Sequence, residues 1–149
     1  MVRRNPPLAA GSQMLHGLFG RPVGWAAARG SSGPGGRLVR AAGLVGEPVV
    51  SRDGVPLGNV SELLLDVQRG RIAYAVVTHG GFMGLGERLQ AVPWCALSLD
   101  DGAPRLVLDA DRATFLGAPA FDNEHWPGTP GPDWHQALHR HYRCAPYWE

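Results

Sequence analysis

A chain of 149 residues with 44% hydrophobic content suits one packed domain with some tail, and it holds no apolar run approaching the ~18 residues of a membrane span. The net charge of +1 conceals a division: residues 1–46 carry six Arg and no acid, whereas the remainder carries eight Arg against thirteen acids. A mildly acidic folded portion argues against a nucleic-acid-binding domain, and the complete absence of Lys reads as compositional bias before it reads as selection for phosphate contacts.

In chain order, residues 1–39 carry Pro6-Pro7 and the run Gly30-Ser31-Ser32-Gly33-Pro34-Gly35-Gly36. Such a segment buries too little apolar surface to offset its ordering entropy, and is expected to be a disordered tail. A short helical turn over Val39–Val45 opens a domain expected to span residues 40–110. Glu47–Ser51 reads as a first strand, with Asp53-Gly54 as the tight turn into a second strand, Leu57–Val67. The apolar positions of that second strand change parity between Val60 and Leu63, which predicts a bulge near Ser61-Glu62.

Arg71–His79 follows as a third strand, apolar on both parities (Ile72, Tyr74, Val76 and Ala73, Ala75, Val77), so both its faces must be covered. Arg88–Val92, Cys95–Leu99 and Arg105–Leu108 complete six short strands, with Asp100-Asp101-Gly102 turning between the last two. Many short strands with turns at close intervals indicate a mainly β fold, a small antiparallel six-stranded β-barrel. Residues 111–149 form a C-terminal arm: a helical turn over Asp111–Leu116, a proline-punctuated stretch around Trp126, and a short amphipathic helix Trp134–Tyr142 capped by Asp133.

Cys95 and Cys144 lie far apart with no C-x-x-C spacing and read as free thiols in a reducing compartment, with Cys95 buried. Arg3-Arg4 is followed by Pro6-Pro7 and no continuous apolar region, so it makes no twin-arginine export signal, although an acid-free, Arg-rich leader also suits an organellar transit peptide. A bacterial, cytoplasmic protein is the expectation.

The order and spacing of Gly46-Glu47-Pro48-Val49-Val50, Asp53-Gly54, Leu57-Gly58, Leu65-Asp66-Val67, Gly70-Arg71-Ile72-Ala73-Tyr74, Gly80-Gly81 and Ala91-Val92-Pro93-Trp94 resemble the PRC-barrel domain. That family is named for the cytoplasmic barrel of the photosynthetic reaction-centre H subunit, and includes the C-terminal domain of a ribosome-maturation factor. Phe121–Pro127 and Pro146-Tyr147-Trp148 look like extensions of free-standing bacterial members. The resemblance implies an interaction or assembly module and supplies no catalytic motif.

Three groups of residues bear on chemistry. Gly84-Leu85-Gly86-Glu87-Arg88-Leu89 lacks the third glycine of a dinucleotide fingerprint and leads into a strand, so it reads as a wide hairpin and not as a phosphate cradle. Its tip places Phe82, Met83 and Leu85 together, and three large apolar groups on one loop suit a partner or dimer contact. His135 and His139, at i and i+4, share a helix face and are the candidate metal pair, with Asp122, His125 and His141 as conceivable additions. No full ligand motif accompanies them, and neither a metal nor a cofactor is expected. His79 near Glu87 reads as a surface contact before a proton shuttle. Trp94, Trp126, Trp134 and Trp148 are read as packing between barrel and arm.

The functional expectation is a non-enzymatic module that docks to itself or to another protein. Its interaction residues are Phe82, Met83 and Leu85 on the loop and Trp126, Trp134 and Trp148 on the arm. The alternative is an RNA- or ribosome-associated factor whose Arg-rich tail meets phosphates.

Overall fold

The computed structural model describes residues 38–80, 86–119 and 130–149. The disordered-tail expectation, the tip residues Phe82, Met83 and Leu85, and Trp126 with Asp122 and His125 therefore lie outside the described residues. A 3-10 turn, Ala41–Gly43, leads into β1 (Pro48–Ser51), β2 (Pro56–Asp66), β3 (Arg71–His79) and β4 (Arg88–Pro93). A second 3-10 turn, Trp94–Ala96, precedes β5 (Leu97–Leu99), β6 (Leu106–Leu108), α1 (Arg112–Leu116) and α2 (Pro132–Tyr142). The expected bounds of β3 coincide with those observed, and the other strands differ by a residue or two.

All six strands join one sheet in the order β4-β3-β2-β1-β6-β5. The expected fully antiparallel, closed barrel needs two corrections. Val49, Val50 and Ser51 of β1 pair in parallel with Leu106, Val107 and Leu108 of β6. β4 and β5 stand at opposite ends of the sheet order and do not pair with each other. The 3-10 turn at Trp94–Ala96 takes up residues expected to be strand, which leaves β5 with only three residues.

The predicted bend in β2 is present, because its register with β3 slips between Val60 and Glu62; a second slip follows between Leu64 and Leu65. Each slip adds a residue to one strand and curls the sheet. Ala73 to Val77 of β3 are all buried, as a strand apolar on both parities requires. Val49, Val60, Val77, Val92, Leu106 and Leu108 form the centre of the core, while Phe115 of α1 and Leu138 and Tyr142 of α2 close over it. Leu65 near the end of β2 and Val67 in the turn after it remain 58% and 84% exposed.

Capping explains both helices. The Asp111 carboxylate accepts from the Thr114 amide at 2.8 Å, and these contacts hold its pKa below the usual carboxylate value. The predicted cap Asp133 sits instead in the first turn of α2, where it faces the positive end of the helix dipole. Gly131 is the cap, because Pro132 is pre-set for the first helical position and extends the helix upstream.

The buried Gln90 side chain donates to the carbonyls of Phe115 (3.0 Å) and Ala118 (3.2 Å), tying α1 to β4. At the end of β3 the His79 ring stands edge-on to Phe115 at 5.1 Å, and its Nε2 is buried without a hydrogen-bond partner among the described residues. Burial lowers the His79 pKa, the Arg88 and Arg112 guanidinium groups add to this, and the Gln90 side chain opposes it. A group depressed in the folded state contributes stability above its unfolded value near 6.5, and that contribution fades as pH falls below it. Urea midpoints at about pH 7.5 and about pH 5.5 should differ less in His79→Asn than in the wild type. The variant should keep the acid sensitivity due to His135 and His139, which are shifted the same way. An unchanged difference between the two midpoints would remove His79 from this account.

Candidate functional site: an aromatic and imidazole face

The site is assembled by the way α2 ends. Arg143 adopts the left-handed conformation (φ 54°), and its amide and that of Cys144 fold back onto the Arg140 and His139 carbonyls. This reversal carries Cys144 beside His139 and returns Tyr147 and Trp148 across the helix face that bears His135 and His139. The Arg71 guanidinium donates to the Tyr147 carbonyl at 2.9 Å and pins the returning segment to the start of β3.

Tyr74, 2% exposed on β3, is the hub. Its ring centroid lies 5.5 Å from Trp134, 5.5 Å from His135, 5.7 Å from His139 and 5.6 Å from Tyr147, the last two edge-on. The Tyr74 hydroxyl donates to His135 Nδ1 at 2.6 Å. Burial, reinforced by the neighbouring Tyr147, holds the phenol well above its ordinary value of 10.0, so it keeps its proton. Burial lowers His135, with the Pro130 carbonyl partly opposing, which leaves the ring neutral and able to accept. Trp148 completes the face, edge-on to His139 at 4.9 Å and to His135 at 6.1 Å.

His139 is 3% exposed and is lowered by burial, partly offset by the backbone of Cys144 and Ala145. Its Nδ1 lies 3.6 Å from Cys95 Sγ and 3.8 Å from Cys144 Sγ, and its Nε2 is buried without a partner among the described residues. The two cysteines are joined as a disulfide with their Cα atoms 5.9 Å apart. This corrects the free-thiol reading and, with it, the argument for a reducing compartment; Cys95 is also exposed, not buried. The 3-10 turn after β4 and the reversal after α2 bring the pair together, and neither feature leaves a local cysteine spacing.

Of the expected interaction residues, Trp134 and Trp148 belong to this face. Trp134 is half-buried against Tyr74, whereas Trp148 lines an open cavity of about 410 Å³ with Pro130, Pro132, His135, Gln136 and Tyr147. His135 and His139 do share a face, as their spacing requires. His135 is engaged by Tyr74, however, and His141 is drawn away to the Thr114 carbonyl at 2.7 Å. Trp94 packs against the core from the 3-10 turn beside Cys95. The residues missed by sequence reasoning are Tyr74, which reads as one apolar position among many, and the cysteine pair.

Among the described residues no helix is long and apolar enough to cross a membrane. A search of curated proteins finds no match to the chain. The PRC-barrel domain model matches residues 37–115, which takes in every strand of the sheet and all but the last residue of α1. That is a small β domain often found in protein–protein assembly. The match spans more than half of the chain, and the protein belongs to the PRC-barrel domain family.

Proposed function

We propose that this protein is a non-enzymatic interaction module that docks to a second copy or to another protein through its C-terminal aromatic face. The observation that carries the reading is the open cavity between α2 and the returning segment. Tyr147, Trp148 and two prolines present rigid apolar surface there at low entropic cost. The imidazoles around it are held neutral by burial and are committed to aromatic neighbours, which suits recognition better than proton transfer. The loop tip with Phe82, Met83 and Leu85 is a second contact in the same proposal. A bacterial cytoplasm is the proposed setting, and there Cys95 and Cys144 would be mostly reduced.

Sedimentation of the wild type over a concentration series, with cross-linking in the native host, tests the reading. Trp148→Ala should weaken self-association or the cross-linked complex by roughly tenfold or more while the sheet stays folded by circular dichroism. A wild type that is monomeric at every concentration and forms no Trp148-dependent cross-link would overturn it.

A further inference from the structure

We propose that Cys95, Cys144 and His139 form a zinc site when the two cysteines are reduced, so that the disulfide and the metal are alternative occupants of one position. The three donor atoms, Sγ, Sγ and Nδ1, lie within 4.8 Å of one another. Tetrahedral zinc with Zn–S near 2.3 Å and Zn–N near 2.0 Å sets its sulfur and nitrogen ligands about 3.5 Å apart. The observed separations from His139 Nδ1 are 3.6 Å and 3.8 Å, so the imidazole already stands at ligand distance from both sulfurs. Only the sulfurs have to part, to about 3.8 Å on the same geometry. They sit on a 3-10 turn and on a reversal after a helix, and neither is held in a strand ladder.

The ligand set is chemically apt. Two thiolates and one imidazole match the preference of a borderline-soft ion such as zinc and exclude calcium or magnesium, which take oxygen ligands. His139 presents Nδ1 to the sulfurs while its Nε2 makes no hydrogen bond among the described residues, and ring contacts with Tyr74, Tyr147 and Trp148 hold the imidazole in that orientation. His139 and Cys144 also line an open cavity of about 640 Å³ with Arg140, Arg143, Trp148 and Glu149. Water enters the fourth position from that side.

The chemistry balances in two steps. A dithiol reductant gives two electrons and two protons to the Cys95–Cys144 bond, which opens to two thiols while the reductant closes its own disulfide. Zinc then binds both sulfurs and His139 Nδ1, and the two thiol protons leave to solvent. Exchange with a small-molecule disulfide reverses this: the oxidant takes two electrons from the sulfurs and two protons from solvent to become a dithiol, the Cys95–Cys144 bond re-forms, and the ion is released.

Full-length, untagged protein reduced with a phosphine and titrated with cobalt(II) as a probe tests the site. One equivalent should produce thiolate-to-cobalt charge transfer in the near-ultraviolet and tetrahedral bands in the visible, both abolished by added zinc. The disulfide form should show neither. Cys95 is exposed, so Cys95→Ser should stay folded yet lose zinc affinity by at least roughly 100-fold, since even a ligand's supporting partner is worth 10–100-fold. The nitrogen-15 resonances of the His139 ring should shift on zinc addition, a readout that needs no substitution at this buried position. The proposal falls if the reduced chain shows no charge transfer at one equivalent, if Cys95→Ser binds as well as the wild type, or if the His139 ring does not respond.

Discussion

Reduction of the Cys95–Cys144 bridge in metal-free buffer is expected to lower the stability of the folded chain by about 4 kcal/mol, which the chain-entropy relation gives for this loop length. The cysteines are 49 residues apart, so the bond closes a loop that contains β5, β6, α1 and the whole of α2. Without it the unfolded chain regains the freedom of that loop, while the folded chain keeps the Tyr74 and Leu138 contacts that hold α2. Urea unfolding of the oxidised protein, of the reduced protein with a chelator, and of Cys95→Ser/Cys144→Ser measures the effect. The last two should agree with each other and lie well below the first. Equal midpoints for oxidised and reduced protein would mean that packing alone fixes the C-terminal arm.

Gly58→Ala should be at least as damaging, at about 4 kcal/mol or more, and should leave much of the protein unfolded or insoluble. Gly58 lies on β2, which is flanked by β1 on one side and β3 on the other. A Cβ at this position would stand 1.9 Å from the Thr78 carbonyl oxygen, 2.9 Å from its carbon and 3.1 Å from Val77 Cγ1. The first two are backbone atoms of a neighbouring strand, so relief requires parting β2 from β3 and not merely turning a side chain. Gly43→Ala is the matched control, because a Cβ there meets nothing within 4 Å and its effect should stay within about 1 kcal/mol. If the two variants melt alike, the close approach of β2 and β3 is not what fixes glycine at position 58.

Local signals in the sequence carried most of the strand content. Two-sided apolarity marked β3, a change of parity marked the bend in β2, and Asp53-Gly54 marked the first turn. The parallel pairing of β1 with β6 left no such mark, because its partners, Val49 and Leu106 among them, are far apart in the chain. A three-residue strand such as β6 shows no periodicity to reveal its direction. The candidate site was half legible for the same reason. The spacing of His135 and His139 announced a shared helix face, but their neighbours Tyr74 and Cys95 arrive from elements distant in sequence. The left-handed turn at Arg143 that brings Cys144 in is made by a residue type that rarely adopts it, so no glycine betrays it.

The open sheet order has a consequence for solubility. A strand with free backbone donors and acceptors is a template for another chain, and the risk grows with its length and flatness. Here β5 exposes only three residues, Leu97, Ser98 and Leu99, held between the bonded Cys95 on one side and the Asp100–Arg105 ion pair at 2.6 Å on the other. At the other limit, α2 lies beside β4, and Gln90 fastens the end of α1 there. An intruding strand would find one edge too short to grip and would meet α2 and the end of α1 beside the other.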